Sequence, residues 1–202
     1  MKRSRLRIPS GVGFVETLVN DPGEIRRGLV FIAHPHPLHG GTLDNKVVQS
    51  LAQLCHDHGM VSVRPNFRGV GQSDGEYTGG DGETEDMLHV IEFVRGHFDS
   101  TLPVYLAGFS FGSYVQHRVA REIVPAHLLL VSPAVNLYEF GDLPGQTTII
   151  HGELDEIVPF DAAWKFALSQ RTEFRPVPGA GHFYHGKLAA LREEAQAACH
   201  LS

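Results

Sequence analysis

LAGFSFGSYV, residues 106–115, ends an apolar run and places Ser110 between Gly108 and Gly112 in the spacing G-x-S-x-G. The pattern alone is weak evidence. With 22 glycines in 202 residues, roughly 0.1 matches arise by chance, so the flanks decide its meaning. The run LPVYLAG (102–108) reads as a buried strand, and a helix-compatible stretch leaves the serine, with Val115 and Val119 four residues apart and Pro125 ending it. Strand, tight turn, helix is the context in which such a serine becomes a nucleophile, because small neighbours relieve the crowding of the turn. A merely structural glycine turn is the alternative at this point.

Working outward, short apolar runs alternate with amphipathic stretches, which is the signature of an α/β fold with a largely parallel sheet. GLVFIAH (28–34), MVSVRPN (60–66), AHLLLVS (126–132) and QTTIIHG (146–152) read as central strands, and EFRPVPG (173–179) as the last one. GVGFVETLV (11–19), closed by NDPG, reads as an edge strand preceding the wound part. Val47, Val48, Leu51, Leu54 and Cys55 recur at helical spacing, with Asp44 as the expected N-cap and Gly59 as the stop. Met87, Ile91, Val94 and Phe98 repeat the pattern behind the acidic run DGETED, whose carboxylates suit a helix N-terminus. Leu188, Leu191, Ala195 and Ala198 make a final helix. No repeat, low-complexity tract or linker interrupts the chain, so one domain over 1–202 is expected.

Composition narrows the function. At 42% hydrophobic residues the chain can bury a sizeable core without staples. Cys55 and Cys199 form no ligand or disulfide pattern and read as free thiols. A net charge of −6 gives no electrostatic basis for a nucleic-acid partner, and the basic residues at 2, 3, 5 and 7 read as a solvated, frayed start. MKRSRLRIPSGVG lacks the apolar core of a secretory signal, and LVFIA is too short to span a bilayer, so a cytoplasmic protein with no membrane partner is expected. The oligomeric state is not legible.

Two later segments raise Ser110 above the glycine-turn reading. IIHGELDEIVP places Asp155 after a strand, and PGAGHFYHG places His182 after the next. The order Ser110, Asp155, His182 is the triad order of α/β-hydrolases. The spacing leaves room for a helix and a strand, so all three can meet at the C-terminal edge of the sheet.

HPHPLHGG, NFRGVGQSDGE, GFSFGSYV, HGELDEIVPF and GAGHFYHG, in this order, resemble the small bacterial α/β-hydrolases related to serine esterases and dienelactone-hydrolase-like proteins. The resemblance spans about residues 10–195. It implies the α/β-hydrolase fold, a mostly parallel sheet of about eight strands flanked by helices, and Ser-His-Asp hydrolysis of ester, thioester or amide bonds. Carried over by position, it implies Ser110 as nucleophile, His182 as general base and Asp155 as the residue orienting the imidazole. His185 is the rival base, but Gly179 and Gly181 fit the family's histidine loop around His182 better. HPHPLHGG resembles the first oxyanion-hole loop. Pro35 and Pro37 lack an N–H, so His36 is the nearest donor there and Phe111 supplies the second.

His34, His36 and His39 invite a metal reading, but the two prolines oppose convergence and no ligand partner follows, so neither a metal nor another cofactor is expected. His34 reads as a packed, loop-orienting residue, and Arg68 and Asp74 as a pair holding the loop NFRGVGQSDGE. Only 133–145 separate two strands where relatives insert a lid, so no cap domain is expected. The open rim would be lined by Leu38, Phe109, Phe111, Phe160 or Tyr184 and would take a small acyl substrate. Ester or thioester cleavage leads, with acyl transfer, peptide cleavage, or a non-catalytic binding protein on the same scaffold as alternatives. A cysteine in place of Ser110 would be expected for dienelactone hydrolysis.

Overall fold

The computed structural model describes residues 2–23 and 25–199. Eight strands form one sheet: β1 (Lys2–Ser10), β2 (Gly13–Asp21), β3 (Gly28–Ala33), β4 (Met60–Pro65), β5 (Val104–Phe109), β6 (His127–Val131), β7 (Thr147–Gly152) and β8 (Glu173–Val177). The helices are α1 (Lys46–Asp57), α2 (Asp81–Arg95), α3 (Phe111–Glu122), α4 (Phe160–Gln170) and α5 (Leu188–Ala198), with one 3-10 turn at Pro37–His39. The order across the sheet is β1-β2-β4-β3-β5-β6-β7-β8. β1 and β2 run antiparallel at one end and all pairs from β4–β3 onward are parallel.

Burial on both faces explains why the central strands read as unbroken apolar runs. On β3, Phe31 and Ala33 pack with Met87 and Ile91 of α2, Val115 and Val119 of α3, and Ala167 of α4. The alternate residues Val30 and Ile32 pack with Val48 and Leu51 of α1 and Leu191 and Ala195 of α5. The sheet is therefore covered on both sides. No helix among the described residues is long and apolar enough to cross a membrane.

Three expectations need correction, and one helix was not anticipated. The basic N-terminal segment is not frayed: it is the edge strand β1, paired with β2 from Lys2↔Asp21 to Ser10↔Gly13, which makes the 11–19 segment the second strand. Arg3, Arg5 and Arg7 stay exposed along β1, and charge on an edge strand discourages further pairing. Asn45, not Asp44, caps α1, since its Oδ1 accepts the Val47 N–H at 2.9 Å and Asp44 lies one residue too early. Arg68 does not pair with Asp74. Its guanidinium makes two bonds to buried Asp86 of α2 (2.8 and 3.0 Å), while Asp74 accepts the Phe14 N–H and ties the loop to β2. Finally, α4 carries no apolar stripe in the sequence because only Ala163 and Ala167 are buried along it.

The chain order places β4 and β5 on opposite sides of β3. Connections leaving β3 and β5 thus diverge, and a crevice opens at their carboxyl ends. The candidate residues Ser110 and His182 line a cavity there, and Asp155 is bonded to His182.

Candidate active site

Ser110 follows β5 and precedes the first residue of α3, with φ 55° and ψ −117°. A non-glycine residue at positive φ is strained and persists only where its surroundings over-determine it. Here the Ser110 N–H donates to Val131 O of β6 at 2.9 Å. The flanking glycines are required by close approach: a Cβ on Gly108 would lie 2.3 Å from Gly112 O, and one on Gly112 would lie 2.4 Å from Ala33 O. Backbone meets backbone on both sides of the serine, so the glycines are what allow the elbow to form.

Asp155 and His182 sit beyond β7 and β8. His182 Nδ1 is 2.8 Å from Asp155 Oδ2 and 3.1 Å from Oδ1. With a carboxylate as partner, Nδ1 carries the proton and Nε2 is left as the basic nitrogen. Asp155 Oδ1 also accepts the N–H groups of Ile157 (3.0 Å) and Val158 (2.8 Å). Burial works to raise the Asp155 pKa, but the bonds from His182 and Val158 and the adjacent imidazoles outweigh it, so the carboxyl lies below its usual value. The imidazole of His182 is held between rings, with Phe109 at 5.0 Å and Phe183 at 5.1 Å. His185 is exposed, outside this arrangement.

A cavity of about 430 Å³ opens over the serine, lined by Ser110, His182, His36, Phe111, Tyr138 and Phe183 among others. Phe111 opens α3, so its N–H has no acceptor within the helix. His36 stands between two prolines, and its ring packs on those of Phe111 (5.1 Å) and Tyr77 (4.9 Å). Its Nδ1 accepts the Leu38 N–H at 3.2 Å. Burial and the nearby His39 lower the His36 pKa despite Glu83. The loop is anchored from below by His34, which is fully buried. Its Nδ1–H donates to Pro35 O at 2.7 Å and its Nε2 accepts the Phe67 N–H at 2.9 Å. That tautomer must be neutral, and burial holds the His34 pKa at about 4.

The expected rim is largely displaced. Tyr184, at φ 53°, turns into the core, where its hydroxyl meets Ser132 Oγ at 3.1 Å. Phe109 is fully buried beneath His182. Leu38 is 68% exposed on the 3-10 turn and Phe160 packs on Phe174, so neither lines the cavity. Phe111 does line it. The walls that sequence reasoning missed are His39, Asn45, Leu137, Tyr138, Ile157 and Phe183. One available signal was alternation along β5, which puts Phe109 on the same buried face as Ala107.

The connection from β6 to β7 holds only turns, bends and irregular backbone, so no cap domain is inserted there. The model of the X-Pro dipeptidyl-peptidase (S15) family matches residues 24–143. An α/β serine hydrolase without lid from Xanthomonas campestris superposes with a TM-score of 0.93 at 34% identity, covering 98% of this chain and 94% of that one. An α/β serine hydrolase homologue from Coxiella burnetii gives 0.89 at 40% identity, covering 96% of each chain. An uncharacterized protein of Rickettsia prowazekii is 32% identical over 173 residues, 79% of this chain and 73% of that protein. The strained serine elbow, the lidless sheet and these matches lead to one conclusion: the chain belongs to the α/β serine hydrolases, within the S15 family.

Proposed function

We propose that this hydrolase cleaves small esters or thioesters through an acyl-enzyme on Ser110, without a cofactor. The observation that carries the reading is the buried Asp155–His182 bond at the edge of a cavity that Ser110 also lines. Ser110 Oγ attacks the substrate carbonyl while His182 Nε2 takes its proton, and the tetrahedral oxyanion is met by the N–H groups of His36 and Phe111. Collapse expels the alcohol or thiol, which receives the proton back from His182. Water, activated by the same imidazole, then releases the acid. Asp155 fixes the tautomer and stabilises the imidazolium.

The size and open lip of the cavity favour a short acyl chain over a long lipid. Peptide cleavage is the second reading, favoured by the match to the X-Pro dipeptidyl-peptidase family. The test is a panel of p-nitrophenyl esters, short acyl thioesters and Xaa-Pro-p-nitroanilides with wild type and Ser110→Ala. Serine-dependent turnover of the first two groups supports the reading. Turnover confined to the anilides would replace it with peptidase activity.

A further inference from the structure

A second cavity, about 200 Å³, lies away from Ser110 between α1 and the β1-β2-β4 end of the sheet. Its walls are Arg3, Asn20, Arg64, Gln49, Gln53 and His56, together with Ala52. Strand pairing places Arg3 opposite Asn20 and Asn20 opposite Ser62, two residues before Arg64. Gln49, Gln53 and His56 form one stripe of α1 at helical spacing. Among the described residues no carboxylate is on the wall. Asp44 and Asp57 are held by the amides of Gln49 and Gln53, at 3.4 and 2.7 Å.

Arg64 is the unusual member. It is 4% exposed, its Nη1 donates to Leu43 O at 3.0 Å, its buried Nε–H has no partner, and among the described residues it forms no ion pair. Arginine is seldom buried without a carboxylate. His56 Nδ1 and Asn20 Oδ1 are buried without partners too. The Asn20 amide fits equally turned over, with Ser62 Oγ–H donating to Oδ1. Burial holds the Arg64 pKa below its ordinary value, with Asp44 opposing and Arg3 and Arg5 reinforcing the shift. Among the described residues the guanidinium therefore has no carboxylate in contact, and Asp44 acts on it only from a distance.

From the unpaired guanidinium, the donor-rich walls and the absence of a lining carboxylate, we infer that this cavity binds a small oxyanion, a phosphate or the phosphoryl group of a small ester. Several donors converging from a strand face and a helix face suit a tetrahedral group, and an arginine edge suits its paired oxygens. The site is separate from the hydrolytic cavity.

Isothermal titration with inorganic phosphate, at constant ionic strength set with chloride, tests this on the full chain. Wild type should show one saturable site. Arg64→Met and Gln53→Glu should each weaken it at least about tenfold, the second by placing a carboxylate on the wall. Gln53 is exposed, so that variant decides the matter if Arg64→Met fails to fold. Phenyl phosphate binding as tightly as phosphate would identify a phosphoryl ester as the occupant, and tighter binding of phosphate the free anion. No saturable binding up to about 10 mM, or binding unchanged by Gln53→Glu, would overturn the inference.

Discussion

Asp155→Asn separates orientation from folding. In the native site Oδ1 accepts the Ile157 and Val158 N–H groups at 3.0 and 2.8 Å, and Oδ2 faces His182 Nδ1 at 2.8 Å. An asparagine keeps its Oδ1 on the two loop amides, which puts its NH₂ group where Oδ2 stood. That group donates to Nδ1 and forces the imidazole proton onto Nε2, so the base that should take the serine proton is already occupied. The isosteric change should cost only about 1 kcal/mol of stability, the scale of a net hydrogen bond. Turnover should fall on the order of 10⁴-fold, equivalent to roughly 5.4 kcal/mol of barrier at 1.36 kcal/mol per decade. Steady-state hydrolysis of p-nitrophenyl butyrate, beside urea unfolding of the same preparation, measures both. A kcat/KM within tenfold of wild type in a folded variant would refute the assignment of Asp155.

Three further outcomes follow from packing and charge. Gly112→Ala must push α3 away from the end of β3, since the new methyl would lie 2.4 Å from Ala33 O. It should cost about 1–3 kcal/mol and lower kcat by displacing the Phe111 N–H, and native kinetics in that variant would contradict the elbow geometry. His34, with its pKa lowered to about 4 from an ordinary 6.5, is unprotonated when folded and protonated when unfolded between those values. Stability should therefore rise with pH across that window, His34 contributing about 3 kcal/mol, and His34→Asn should flatten the slope in chemical denaturation at pH 4.5, 5.5 and 6.5. Tyr184→Phe removes a hydroxyl bonded in the core, not at the rim; we expect a loss of about 1 kcal/mol with unchanged KM, and a KM shift of tenfold would return Tyr184 to the substrate site.

What was legible in the sequence follows from where chemistry leaves a pattern. LVFIA in β3 and LLLV in β6 are buried on both faces, so their strands read as apolar runs. The strand-following positions of Ser110, Asp155 and His182 were then enough to place them at one edge. β1 was hidden because Ile8 alone is buried along it and its pairing with β2 is tertiary. The Arg68 partner was hidden because Asp86 lies 18 residues on, on a helix whose rotation brings it under the loop. The rim was hardest to read: Tyr184 is turned inward by a positive φ that its own identity does not announce, whereas Tyr138 reaches the cavity from a connector without periodicity. The anion-site residues are scattered over β1, β2, β4 and α1 and meet only in the fold.

The most direct test of an activated Ser110 is intact-mass analysis after exposure to a fluorophosphonate probe, with peptide mapping and Ser110→Ala as control. Attack by Ser110 Oγ on phosphorus, with loss of fluoride, should leave one adduct on the peptide containing Ser110 and none on the variant. A well-folded wild-type protein that stays unlabelled, or an adduct elsewhere that persists in Ser110→Ala, would contradict the account.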